Sequence, residues 1–230
     1  VDLAVAALEA GADMIEFGIP FSDPLADGPT IQRSSMLALE HGATLDRVLD
    51  ATREFRLRSQ APMIYMGAYN PLFHRGTANA VRMCREAGAD GFILPDVPPE
   101  ESAEVEAICE KEDMALVHLV APTSTLERRR MIAERSRGFI YYISTKGVTG
   151  ARTSLPENVI EELDALRSLT DKPVAIGFGI SRPEDVRTYA PHADGIIVGS
   201  AFINIVAQHE GKPELLDEVK KYVASLAAEL

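Results

Sequence analysis

Glu16 lies inside the apolar run Met14-Ile-Glu-Phe-Gly-Ile-Pro20. A carboxylate in such a run costs free energy unless it is paired or put to use. Asp27 follows in the segment Phe21-Ser-Asp-Pro-Leu-Ala-Asp-Gly-Pro-Thr-Ile-Gln32, where Ser22, Asp23 and Asp27 stand among Pro and Gly. Two carboxylates this close in the chain can converge on one pocket and divide acid and base roles by environment. Each has a plainer reading: a Glu satisfied by a neighbouring strand, and an Asp27-Gly28-Pro29 turn opening a helix with Pro in its first turn.

Three glycine-centred segments come late in the chain: Gly147-Val-Thr-Gly150, Gly177-Phe178-Gly179 and Gly199-Ser200. One such segment is weak evidence, since glycine serves any tight turn. Three on consecutive loops point to phosphate, because glycines let backbone N–H groups approach an anion and a helix starting near Ser200 aims more of them at it. His41, His74, His118, His192 and His209 are scattered without metal-ligand spacing, so no metal is expected. His118 alternates with apolar neighbours and reads as a satisfied core residue. Tyr141 and Tyr142 must point to opposite faces of their strand. Lys146 lies in a Gly-bounded loop, a poor setting for a Schiff-base lysine.

The elements that would position these groups alternate along the whole chain. Strands are expected at 13–20, 62–69, 91–96, 115–122, 139–144, 173–180 and 195–202. Helices are expected between them at 77–87, 99–111, 126–136 and 156–168, and last at 213–230, where Leu215, Leu216, Val219, Val223 and Leu226 share a face. Near-continuous apolar strands indicate a parallel sheet covered by helices. Glu-Ala-Gly-Ala-Asp occurs at 9–13 and again at 86–90, and His192-Ala-Asp-Gly is a weaker third copy, an echo expected of repeated βα units. The fold class is therefore α/β, a (β/α)8 TIM barrel with seven recognisable strands, read as one domain over 1–230. In such a barrel the strand C-termini face the active site, which is where Glu16, Asp27 and the late glycines fall.

Composition narrows the partners. With 35 acidic and 23 basic residues the formal charge is −12, which argues against nucleic acid and anionic membrane. Cys84 and Cys109 form no C-x-x-C motif and suit a reducing cytosol. The longest apolar run, 195–207, is too short for a bilayer, and the first residues do not form a signal peptide. Because the chain opens in a helical pattern without Met, it reads as truncated at its front.

The segment from Glu16 to Gln32 resembles the signature of the tryptophan synthase alpha family. Tyr69-Asn-Pro71, Asp96-Val-Pro98, Gly147-Val-Thr-Gly-Ala151, Gly177-Phe-Gly-Ile-Ser181 and Gly199-Ser200 match further, in family order. The resemblance implies a lyase that cleaves indole-3-glycerol phosphate to indole and glyceraldehyde 3-phosphate in tryptophan biosynthesis. It needs no cofactor, acts in the cytoplasm, and partners a beta subunit as two alpha and two beta chains. It also implies roles: Glu16 as acid/base, Asp27 at the indole nitrogen, Tyr141 on the active-site strand, and a phosphate cradle of Gly150, Phe178, Gly179, Gly199 and Ser200. The stretch 144–156 corresponds to the family's flexible loop, and the loop with Asp23 and Asp27 to the face toward the beta subunit. The family's first short helix and first strand have no counterpart here, which leaves seven strands. The competing readings are another phosphate-binding barrel such as a sugar-phosphate isomerase, an independent indole-forming lyase, and a non-catalytic scaffold subunit.

Overall fold

The computed structural model describes residues 1–144, 158–177 and 179–230. It alternates helices and parallel strands: α1 (Asp2–Glu9), β1 (Ile15–Ile19), α2 (Pro29–Glu40), α3 (Leu45–Arg56), β2 (Met63–Gly67), α4 (Asn70–His74), α5 (Thr77–Ala87) and β3 (Gly91–Ile93). Next come α6 (Ala103–Lys111), β4 (Ala115–Val117), β5 (Leu119–Val120), α7 (Leu126–Arg135) and β6 (Ile140–Ile143). Then follow α8 (Val159–Arg167), β7 (Val174–Gly177), α9 (Pro183–Tyr189), β8 (Gly195–Ile196), α10 (Ser200–His209) and α11 (Leu215–Ala227).

Two ladders, β1-β2-β3-β4 and β5-β6-β7-β8, form the wall, every pair parallel. β4 and β5 are two halves of one strand divided at His118, whose N–H is taken by Ser136 Oγ at 3.0 Å. The wall continues through that point, because Tyr141 N–H reaches the His118 carbonyl. Seven strand positions are thus present among the described residues, as the apolar runs indicate. The His118 side chain is buried and bonds Glu106, which Arg135 grips through Nε and Nη2, so it is a satisfied core histidine.

Several boundaries differ from those expected. The last strand pairs only at Gly195–Ile196, and Ser200 to Phe202 belong to α10. The second strand stops at Gly67, since the Tyr69 N–H is claimed by Asp96 and α4 begins. The helix expected at 99–111 is a 3₁₀ turn, Pro99–Glu101, followed by α6. On α11, Val219 and Leu226 are buried, whereas Leu216 faces outward.

Two of the three Ala-Asp copies, at Asp90 and Asp194, share a structural role at the strand N-terminal end. Asp90 accepts the Met63 N–H from β2 at 2.7 Å and the Arg56 guanidinium from the end of α3 at 2.7 Å. Asp194 does the same for Val174 of β7, at 2.9 Å, and for Arg167 at the end of α8. One carboxylate therefore stitches a helix end and the start of one strand to the start of the next, far from the catalytic face.

The barrel interior is filled by Ile64, Ile93, Val117, Phe139, Tyr141 and Ala175, and the helix-facing sides of the strands bury the rest of the core. No ladder joins β8 to β1 among the described residues. On that side helices close ranks: α1 packs on α11 and α10 on α2. Glu9 and Lys220 pair at 2.6 Å, and Gly11 passes so near α11 that a Cβ there would lie 2.8 Å from that of Ala227.

Candidate active site

Glu16 is opposite Ile64 in the β1–β2 register, and Ile64 faces the interior, so the carboxylate points into the barrel. The residue is partly accessible, but its Oε1 is buried and has no hydrogen-bond partner among the described residues. Burial raises its pKa from 4.5 to about 7. A carboxyl group near half-protonation at neutral pH can both take and give a proton.

Tyr141 enters the same interior from β6, whereas Tyr142 points outward and donates to Glu162 on α8 at 2.7 Å. The two-residue alternation thus separates them as expected. Burial, and after it the Glu16 carboxylate, hold the Tyr141 phenol well above its usual pKa, so it stays protonated. Its ring crosses β7 at Gly177, where an added Cβ would lie 2.2 Å from the Tyr141 hydroxyl oxygen. Sequence reading placed Gly177 in a phosphate-type glycine cluster. Its observed job is to leave room for this ring, a role visible only once the strands are paired. The Gly177 carbonyl also accepts from Ser144 N–H and Oγ–H.

Asp27 lies in the loop from β1 to α2. Its N–H closes a turn on the Pro24 carbonyl, Gln32 bonds its carbonyl, and Gly28-Pro29 starts α2. The turn reading and the site reading are thus both compatible with this loop. Partial burial, and then the Asp96 carboxylate, raise the Asp27 pKa. Asp96 is a residue to which sequence reading assigned no role.

Of the expected phosphate cradle, Gly179 has φ +90° just beyond β7, a conformation that favours glycine. Gly199 caps α10 and Ser200 is its first residue, so the free N–H groups of that helix open at the end of the neighbouring strand β8. Gly199 has φ −106°, and a Cβ there would meet nothing within 4 Å, so packing does not demand a glycine. Gly150, Phe178, Lys146 and the stretch 145–156 lie outside the described residues. Among the described residues no group of three or more His, Cys, Asp or Glu side chains could hold a metal ion.

A family profile described as Tryptophan synthase alpha chain matches residues 2–229. The chain belongs to that family. Its relative from Geotalea daltonii, named tryptophan synthase alpha chain, is 46% identical over 220 residues, covering 96% of this chain and 83% of the relative. Among solved structures, Mycobacterium tuberculosis tryptophan synthase superposes with a TM-score of 0.89 at 34% identity, over 99% of this chain and 84% of that one. A chain of the Pyrococcus furiosus tryptophan synthase a2b2 complex gives 0.90 at 33% identity, over 99% and 90%. The tryptophan synthase alpha fold is an α/β TIM barrel, and the wall of parallel strands described above is its form here.

Proposed function

We propose that this chain is a lyase that carries out the alpha reaction of tryptophan synthase, the retro-aldol cleavage of indole-3-glycerol phosphate to indole and glyceraldehyde 3-phosphate. The observation that carries the proposal is the buried, unpartnered Glu16 Oε1 aimed into the barrel beside Tyr141. A structural glutamate would be paired; an unpaired one is a cost that function explains.

In the reaction a proton goes to indole C3, the ring nitrogen becomes positive, and the glycerol hydroxyl next to C3 loses its proton as the carbon–carbon bond breaks to give the aldehyde. Glu16 moves the protons. Asp27, as carboxylate, stabilises the charge growing on the indole N–H. The Tyr141 phenol, protonated and pressed over Gly177, holds the Glu16 side of the pocket. Gly179, Gly199, Ser200 and the α10 N-terminus bind the phosphate, with Gly150 and Phe178 completing the cradle, and this anchoring orients the scissile bond. No cofactor takes part.

The partner is a tryptophan synthase beta subunit, in a complex of two alpha and two beta chains. Leu25, 87% exposed in the Asp27 loop, and Phe73, 67% exposed on α4, offer apolar surface for it. No helix among the described residues is long and apolar enough to cross a membrane. Two free cysteines, Cys84 and Cys109, suit a reducing compartment, and on that ground we place the protein in the cytoplasm. The test is indole release from indole-3-glycerol phosphate with and without a beta subunit. Release that rises on binding supports the reading. Full release alone with no association identifies an independent lyase, and none under either condition identifies a scaffold.

A further inference from the structure

Asp96 follows β3, and both its carboxylate oxygens accept the Tyr69 N–H, each at 3.0 Å. Tyr69 is itself held, its hydroxyl 2.6 Å from Thr77 Oγ1 and its ring against Phe73. Asp96 is therefore a charge in a set place, tying the end of β3 to the residue that opens α4 above β2. Strand order puts β1, β2 and β3 side by side, so the Asp27 loop is on the same flank of the catalytic face. Burial first, and then the Asp96 carboxylate, raise the Asp27 pKa. Among the described residues neither is in an ion pair. Two like charges held without a cation are relieved when positive charge arrives beside them.

We propose that Asp96 is a positioning residue for the lyase reaction: anchored on the Tyr69 N–H, it sets a second negative charge beside Asp27. The inference rests on the functional reading above, in which positive charge appears on the indole nitrogen when C3 takes its proton and is absent from bound substrate. The second carboxylate then favours the transition state over bound substrate, because neutral indole gains little from it. Asp96 touches no reacting atom in this account. It acts through Asp27.

Asp96→Asn and Asp96→Ala separate charge from scaffolding in the full chain, assayed with a beta subunit present. Asp96→Asn keeps an acceptor for the Tyr69 N–H and loses the charge. We expect kcat to fall about tenfold, with KM within about twofold and the melting temperature unchanged. Asp96→Ala, which also frees Tyr69, falls at least as far. Asp96→Asn turning over like the parent, or losing only in KM or melting temperature, overturns the inference while leaving the lyase reading intact. A parent that releases no indole overturns both.

Discussion

Glu16 is exposed to two opposing demands, one from folding and one from chemistry, and a single titration reports both. Its folded pKa of about 7 stands above the ordinary 4.5, so between those values the native state holds a proton that the unfolded chain has released. Stability therefore falls as pH rises through that window and levels off above it. Each unit corresponds to about 1.36 kcal/mol, and the partial access of the residue to water brings the whole to about 1–3 kcal/mol. Glu16→Gln removes the titration. The variant is predicted to melt above the parent at about pH 8, with the difference gone near pH 4.5, as followed by circular dichroism. A constant difference across that range would mean that Glu16 has an ordinary pKa. Glu16 and Asp27 were legible in the sequence because carboxylates in an apolar run and in a Pro/Gly loop break the local pattern. Asp96 and Gly177 were not, because their roles depend on which strands lie side by side.

The strands position the site at one end, and the carboxylate clamps hold them at the other. Asp90 accepts both the Met63 N–H and Arg56, so Asp90→Ala leaves a backbone donor without its partner and a partly buried guanidinium without its carboxylate. We predict a loss of about 1–3 kcal/mol in denaturant unfolding, with KM for substrate unchanged, because the clamp is at the far end of the barrel from the reacting groups. A KM effect larger than the stability effect would contradict this division of labour between the two ends. The echo that marks these clamps could be read in the sequence as a repeat, but not as a hydrogen-bonding device. The strand positions were legible from apolar runs. Their ends were not, because they are decided by nonlocal partners: Ser136 Oγ interrupts the strand at His118 and Asp96 captures Tyr69.

Across the whole molecule, a chain of formal charge −12 is proposed to bind an anionic substrate, which requires a local field that opposes the global one. The N-terminus of α10 supplies it, next to the space above Gly199 where a Cβ meets nothing within 4 Å. Inorganic phosphate or sulfate is predicted to raise the parent's melting temperature, and Gly199→Asp, which places a carboxylate in that space, to lose most of the gain. Equal protection of both would move the phosphate site elsewhere. The claim on which the rest depends is that the Glu16 carboxyl, whose buried Oε1 lacks a partner among the described residues, carries the protons of the reaction. The most direct measurement is indole release by Glu16→Gln beside the parent, with binding of a substrate analogue measured on the same samples. The account predicts turnover lower by roughly 10²- to 10⁴-fold with analogue affinity kept, the usual range for a general acid/base. Turnover within a few-fold of the parent would contradict it.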